Sequence, residues 1–404
     1  MTHKERMLRT LRGEPTDMIP WAPRLDLWYN AHERAGTLPA EYRAAALRDI
    51  TDDLGFGYHA IVPHFKQLRD ASDDLHRALG IYNLWPMPYS TRLHNIDVTA
   101  ETAGDETHVT YRTPSGTVTT TVVYDESMRQ AGVSITHVSE YAIKDCSDYA
   151  AVGYIFENAE VLPNQAGYQE FAEYVGDRGV AAGFLSLAAS PMHLLQRELM
   201  PMALFFYELH DHPDELTQCA ARIGGYFERV FEVCSCSPAD VFLLGANYDA
   251  SVTPPPFFSE HITPWLKTFA DMLHARGKFL LTHTDGENTG LLDCYLESKI
   301  DVADSICPSP MTKLTLEQVR DHFHSEVTVM GGVPSVCLLR DSMPDDEFEV
   351  YIEDFMSQLG GGDHLILGVS DTTPPGVDFE RIKRIGQRVR AFAPVQGKTP
   401  CSLE

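Results

Sequence analysis

Cysteine is scarce in this sequence, which has eight cysteines among 404 residues and no Cys-x-x-Cys pair. So few thiols do not build a disulfide scaffold of the kind that small secreted domains need. They also lack the spacing of a zinc cluster with four ligands, because no further cysteine or histidine pair stands near Cys234 and Cys236. We therefore expect the cysteines to be reduced thiols.

Basic residues are also few, with 32 Lys and Arg against 58 Asp and Glu, and the formal net charge is −26. A surface this acidic repels the phosphate backbone of nucleic acids. The same repulsion disfavours docking to anionic lipid. The composition therefore excludes nucleic acid and membrane surfaces from the expected partners.

Long hydrophobic runs are missing as well. The longest ones, such as residues 181–189 and 241–246, fall well short of the roughly 20 residues that span a bilayer. The first nine residues, MTHKERMLR, are charged and lack the apolar centre of a secretory signal. Hydrophobic residues still make up 44% of the chain, which is enough for a large core. We expect a soluble cytoplasmic protein.

Short apolar runs alternate with amphipathic helical segments from residue 179 onward, which is typical of buried parallel strands connected by helices. Six runs have this character, and they are residues 179–186, 240–246, 278–283, 301–306, 326–332 and 364–369. Residues 18–22 and 58–62 supply two further strand candidates. Eight strands are what a closed barrel needs, so the pattern predicts an α/β fold with one (β/α)₈ TIM barrel over residues 1–404.

Residues 95–145 do not follow this alternation of apolar runs and helical segments. Alternating Thr, Val and Tyr residues at 109–112 and 117–124 flank a Thr-Pro-Ser-Gly segment at 113–116. Such alternation around a turn signal predicts an antiparallel hairpin. We interpret residues 95–145 as a β-hairpin insertion near the barrel mouth.

Polar side chains follow the predicted strands, at the face where the catalytic groups of such a barrel collect. Strand 278–283 ends in His283, and Asp285 follows two residues later. An imidazole and a carboxylate there are suited to metal ligation or to acid/base chemistry. Because Asp-Gly is also a common turn signal, a structural hydrogen-bonded pair is the alternative. Further candidates at this face are Arg24, Asp26, His59, His64, His193, Asn247, Tyr248, Asp249, Cys337 and Asp371.

Several of these segments resemble the uroporphyrinogen decarboxylase superfamily. Residues 5–14 (ERMLRTLRGE) and 17–20 (DMIP) are similar to its opening, and residues 257–265 (FFSEHITPW) are similar to the segment before its histidine strand. His-Thr-Asp-Gly at 283–286 and Gly-Gly-Val at 331–333 continue the match in the same order. The resemblance covers nearly the whole chain outside the hairpin region and implies the same barrel.

Uroporphyrinogen decarboxylases themselves are one activity of this superfamily. They bind the carboxylates of a tetrapyrrole with arginines of an Arg-Gln-Ala-Gly-Arg segment near the N-terminus. Here residues 23–29 read PRLDLWY, so that at most Arg24 matches. A multiply anionic tetrapyrrole also suits a chain of charge −26 poorly. The resemblance therefore does not favour porphyrinogen decarboxylation.

The second activity is that of methyltransferases in corrinoid-dependent systems, whose zinc is held by a His-x-Cys pair and a later Cys. His283 matches that histidine, Asp285 stands in place of the first Cys, and the loop at 368–371 lacks the second. This leaves Asp371 or Cys337 as the third ligand. A harder His/carboxylate set is better suited to polarising an ether or alcohol oxygen than to activating a thiol.

The resemblance thus predicts a methyltransferase that moves a methyl group from a small methylated donor, such as a methyl ether, to a corrinoid. The corrinoid would belong to a separate partner protein, because this sequence has no Asp-x-His-x-x-Gly cobalamin-binding segment. Barrels of this superfamily often pair, so a homodimer is expected. The predicted zinc ligands are His283, Asp285 and Asp371. Asn247 and Asp249 would orient the donor. The residues expected to bind the substrate are Arg24, Asp26, Tyr248 and His193.

Two other functions stay open. One is a metal-free decarboxylase or lyase of a small carboxylic acid, with Arg24 holding the carboxylate and Asp249 or His283 donating a proton. The other is a binding protein without catalysis. Bound zinc that is lost on His283→Ala would favour the methyltransferase over the lyase, and a binding protein should keep its ligand affinity when His283 and Asp285 are substituted.

Overall fold

The structure is a computed structural model that describes residues 1–392. Its strands form one parallel sheet and two antiparallel ones. In chain order the strands are β1 Tyr89–Leu93, β2 Asp97–Ala103, β3 Glu106–Thr113, β4 Gly116–Val123, β5 His137–Glu140, β6 Ala159–Pro163, β7 Gly183–Ser186, β8 Val241–Ala246, β9 Phe279–His283, β10 Val302–Ile306, β11 Thr328–Val333 and β12 Leu365–Val369.

The parallel sheet has six strands in the order β12-β11-β10-β9-β8-β7, which is the order of the sequence. Each of the six predicted apolar runs corresponds to one of these strands, and β11 extends one residue beyond its run. Every residue of β8, β10, β11 and β12 is buried. This burial on both faces explains why these strands read as continuous apolar runs rather than as alternating ones.

The two N-terminal strand candidates do not form named strands, but their backbones join the edges of this sheet. Trp21 forms a single parallel bridge with Leu367 of β12, and the amide of Ala22 donates to the carbonyl of Leu367 at 2.8 Å. The amide of Gly57 donates to Trp21 at 2.8 Å. On the other side, the amide of Ala182, just before β7, donates to Ala60 at 3.0 Å.

Helices lie between successive strands of the parallel sheet. The longest is α9, which begins with a proline and two acidic residues in its first turn, as helix N-termini favour. The helices are α1 His3–Leu11, α2 Asp26–Ala35, α3 Leu47–Leu54, α4 Glu126–Gln130, α5 Tyr149–Glu157, α6 Gln165–Val175, α7 Pro191–Leu194, α8 Met202–Asp211, α9 Pro213–Ser235, α10 Pro255–Phe257, α11 Thr263–His274, α12 Leu292–Glu297, α13 Leu316–Phe323, α14 Asp345–Ser357 and α15 Phe379–Ala391. Among residues 1–392, no helix has both the length and the apolar character to cross a membrane.

The region predicted as a hairpin insertion is a larger, four-stranded antiparallel sheet in the order β2-β3-β4-β5. The predicted hairpin lies at its centre, where β3 and β4 pair from Thr113 and Gly116 outward. The outer strands differ from the prediction because β2 is almost entirely exposed and β5 has only four residues. A second antiparallel pair, β1 with β6, flanks the insertion.

Candidate active site

His283 ends β9, and its position on the sheet determines its partner. In the parallel register, His283 of β9 lies opposite Asp304 of β10. Side chains at matched positions of neighbouring strands leave the sheet on the same face. The Nδ1 atom of His283 therefore meets the Asp304 carboxylate at 2.6 Å, and both residues are at most 5% exposed. This contact leaves Nε2 of His283 directed at other groups.

Two carboxylates approach Nε2 of His283. The Oδ1 atom of Asp371 lies 3.2 Å from it, and the Oδ1 atom of Asp285 lies 3.7 Å from it. Ligand atoms of all three residues lie within 4.8 Å of one another. The structure thus brings together the three predicted metal ligands, while Cys337 is fully buried and is not part of this group.

A second contact fixes each carboxylate. The side-chain amide of Asn247 donates to Oδ2 of Asp285 at 3.0 Å, and Arg24 donates through Nη1 to Oδ1 of Asp371 at 3.0 Å. Asn247 and Asp371 both have left-handed backbones, with φ of 60° and 54°. Non-glycine residues seldom adopt this conformation, and where they do they often lie at functional sites.

The protonation of the group follows from these contacts. Burial lowers the pKa of His283, but hydrogen bonds to Asp304 and Asp371 and the charge of Asp285 outweigh it and raise that pKa to about 10. Burial raises the pKa of Asp371, but the contacts with His283 and Arg24 prevail and lower it to about 2. Desolvation raises the pKa of Asp285. Without a cation, His283 is therefore protonated.

A divalent metal fits this group of residues. The Oδ1 atom of Asp285 is buried and accepts no hydrogen bond, although it faces the imidazole. Ligand atoms around tetrahedral zinc are separated by about 3.4 Å, close to the 3.2 and 3.7 Å found here. The Asp304 carboxylate on Nδ1 is also the usual outer partner of a ligating histidine.

The other predicted site residues divide into two groups. His193 and Asn247 line a cavity of about 430 Å³ together with Arg197, and Arg24 and Asp26 line another of about 390 Å³ together with His59. We call these the Arg197 cavity and the Arg24 cavity. They share no lining residue, and neither is lined by His283, Asp285 or Asp371. One lining residue of each cavity contacts this group, Asn247 at Asp285 and Arg24 at Asp371.

The structure corrects the sequence prediction for Tyr248 and Asp249. Tyr248 is fully buried and its hydroxyl contacts Thr282 at 2.9 Å, so that it packs behind the site instead of facing a substrate. The Asp249 carboxylate accepts hydrogen bonds from Ser251 and from the amide of Glu287 at 3.0 Å. Asp249 thus holds two loops together, and its oxygens are engaged there.

Two residues of the site were not predicted from the sequence. Asp304 is the one ionisable residue of β10, and a carboxylate in a buried apolar strand was a signal, since buried charges need partners. Arg197 lies beyond His193 in a segment that reads as an ordinary amphipathic helix. Nothing in the sequence alone distinguishes it.

The whole chain was compared with known proteins. No protein-family model and no curated protein sequence matches it. Among solved structures it is similar to a methyltransferase from Methanosarcina mazei, with 15% sequence identity, a TM-score of 0.55, and coverage of 97% of this chain and 98% of that one. At this identity the likeness shows a common fold. Membership of the uroporphyrinogen decarboxylase superfamily stays a prediction.

Proposed function

We propose that this protein is a methyltransferase that moves a methyl group from a small methylated donor, such as a methyl ether, to a corrinoid on a separate protein. The observation that carries the proposal is the buried, unpartnered Oδ1 of Asp285, which faces Nε2 of His283 beside Asp371. The similar fold of a protein named as a methyltransferase supports the reaction class.

In this proposal His283, Asp285 and Asp371 hold zinc. Bound zinc would act as a Lewis acid that withdraws charge from the heteroatom of the donor. Three carboxylates, those of Asp285, Asp304 and Asp371, contact His283, and Asp26 and Asp371 contact Arg24. These four carboxylates outnumber the two cationic groups, so a dication would offset excess negative charge.

The surrounding residues hold the ligands in place. Asp304 accepts the Nδ1 proton of His283 and so leaves Nε2 available. Asn247 and Arg24 orient Asp285 and Asp371 through one hydrogen bond each. Asn247 is exposed and lines the Arg197 cavity, where it would orient a donor.

We also infer that the eight strand segments close into a (β/α)₈ barrel. The backbone hydrogen bonds of residues 20–22 and 57–60 link β12 to the segment that leads into β7. Closure would put the ends of β8, β9, β10 and β12 around one mouth, which is where His283, Asp371 and Asn247 lie.

The metal-free lyase is the competing function. It requires Arg24 to hold a substrate carboxylate. Nε and Nη2 of Arg24 donate to Asp26 at 3.0 and 3.3 Å, and Nη1 donates to Asp371. Because all three nitrogens are engaged, the geometry favours the methyltransferase.

The test is to measure bound metal and methyl transfer from a panel of methoxylated compounds to reduced cobalamin. We expect stoichiometric zinc and transfer from at least one donor, with both lost in His283→Ala. His274→Ala is the matched control, because His274 pairs with Asp301 on the surface at 2.9 Å. A metal-free protein that is inactive towards every donor would contradict the proposal and favour the lyase.

A further inference from the structure

The Arg197 cavity lies between the parallel sheet and the inserted sheet. Arg197 and Asn247 line it from the barrel side, and Thr136, Val138 and Tyr141 line it from the insertion. Its volume of about 430 Å³ is within the range of small-molecule sites. Asn247 of the cavity wall contacts Asp285, one of the candidate metal ligands, although none of the three ligands lines the cavity itself.

The charged groups of this cavity are two arginines and one carboxylate. Arg77 donates through Nη1 to Oε2 of Glu198 at 2.5 Å, and Arg197 donates through Nε to Oε1 at 3.2 Å. Both oxygens of Glu198 are therefore engaged, and one positive charge is left over. In a chain of net charge −26, a cavity with excess positive charge is unexpected.

Hydrogen-bond donors at this cavity also lack partners. Arg77 is 7% exposed, and its Nε is buried without an acceptor, as is the hydroxyl of Thr136. Arg197 uses Nε for Glu198 and Nη1 for the Ala246 carbonyl, and within residues 1–392 its Nη2 has no acceptor. The buried Nε of Arg77 and the hydroxyl of Thr136 have almost no accessible surface, so the donor that a ligand in the cavity can reach is the Nη2 of the partly exposed Arg197.

The rest of the wall is apolar. Ile135 and Val138 of the insertion and Met202 of α8 line the cavity beside these donors. A ligand with one anionic end and an apolar body would match a wall that is cationic on one side and apolar on the other. A single excess charge suits a carboxylate, which carries one negative charge, better than a phosphate dianion.

We propose that the Arg197 cavity binds the carboxylate of a methylated carboxylic acid, with Arg197 contacting the carboxylate and with Arg77 and Glu198 positioning Arg197. The apolar body of the acid would pack on the inserted sheet. The role of this acid as the methyl donor rests on the proposed function. The binding of its carboxylate is independent of that function.

The test uses calorimetry on the full chain without corrinoid, with 4-methoxybenzoate and its uncharged amide, 4-methoxybenzamide, as probes. We expect the acid to bind at least about 10-fold more tightly than the amide. Arg197→Gln should weaken acid binding by about 10- to 100-fold and leave amide binding unchanged, because one charge-assisted hydrogen bond is lost. Inorganic phosphate is the dianionic comparison and should bind more weakly than the acid.

Two further variants make the result specific. Glu198→Gln removes the carboxylate that positions Arg197, so it should weaken acid binding and leave amide binding unchanged. Arg222→Gln, which removes a paired arginine on α9 that contacts Glu157 at 2.7 Å, should change neither affinity. Equal affinity for acid and amide, no binding of either, or tighter binding of phosphate would overturn the proposal.

The outcome also separates this inference from the proposed function. Tight acid binding without any methyl transfer would leave the carboxylate site standing and remove the methyltransferase. Methyl transfer from uncharged donors, together with equal affinity for acid and amide, would leave the methyltransferase standing and remove the carboxylate site.

Discussion

At the scale of single residues, Asp304 determines how His283 presents its ring. The 2.6 Å contact to Nδ1 fixes the orientation of the imidazole and directs Nε2 at Asp285 and Asp371. Replacing Asp304 by Asn removes the charge but keeps the shape. We expect Asp304→Asn to lower zinc affinity by about 10- to 100-fold, measured by competition with a chelator.

The matched control for this prediction is Asp301→Asn. Asp301 precedes the same strand and also pairs with a histidine, His274, but on the surface of the molecule. Its loss should leave zinc affinity unchanged. If both variants bind zinc as tightly as the original protein, Asp304 does not position the ligand.

The sequence predicted part of this site for a clear physical reason. His283, Asp285 and Asp371 come together because the ends of parallel strands share one edge, and strand order could be read from the apolar runs. Asp304 was missed because its role depends on the register between two strands, which the sequence does not state. Tyr248 was misplaced because the turn after β8 directs its ring inward.

At the scale of elements, the inserted sheet is attached through Tyr111 of β3. The Tyr111 hydroxyl donates to the carbonyl of Leu75 at 2.9 Å and lies 3.2 Å from Nδ1 of His76. Because that hydroxyl gives its proton to Leu75, the ring of His76 must donate to it. Burial lowers the pKa of His76 to about 4, so the ring is neutral at pH 7.

This attachment predicts a dependence of stability on pH. The unfolded chain takes up a proton at His76 near pH 6.5, whereas the folded protein does so only near pH 4. Between these values the unfolded state binds more protons, so the free energy of unfolding falls as pH decreases. Between pH 6.5 and 4 the free energy of unfolding, measured with urea, should change less in His76→Gln than in the original protein. We expect this difference to reach up to about 3 kcal/mol. If the unfolding free energy of the variant and that of the original protein depend on pH identically, this prediction is wrong.

Strands that are buried could be predicted from the sequence, whereas exposed ones could not. The six parallel strands are buried on both faces, so their apolar runs were visible in the sequence. β2 has no buried face and reads as a loop, although it pairs with β3 along its whole length. Residues 20–22 and 57–60 are too short to form regular ladders, which is why they form only scattered hydrogen bonds.

At the scale of the whole molecule, these short segments decide whether the parallel sheet has two free edges or none. An open sheet of six strands would leave β7 and β12 with exposed edge groups, which natural proteins avoid. Here Leu367 of β12 exchanges hydrogen bonds with Pro20 and Ala22, each at 2.8 Å. On the opposite side, Tyr58 donates to Arg178 at 2.8 Å. Residues from the N-terminal part of the chain thus form backbone hydrogen bonds at both edges, as the proposed closure requires.

Closure predicts slow amide exchange at these joints. In a closed barrel, the amides of Ala22, Gly57, Tyr58 and Ala182 open only when the whole sheet opens, because each joins strands that are themselves buried. We expect hydrogen exchange to protect these four amides as strongly as that of Leu243 in the interior strand β8. The amide of Glu101 in exposed β2 is the comparison for rapid exchange. Exchange at the four joints as fast as at Glu101 would mean that the sheet is open, and the ends of its strands would then not enclose a common mouth.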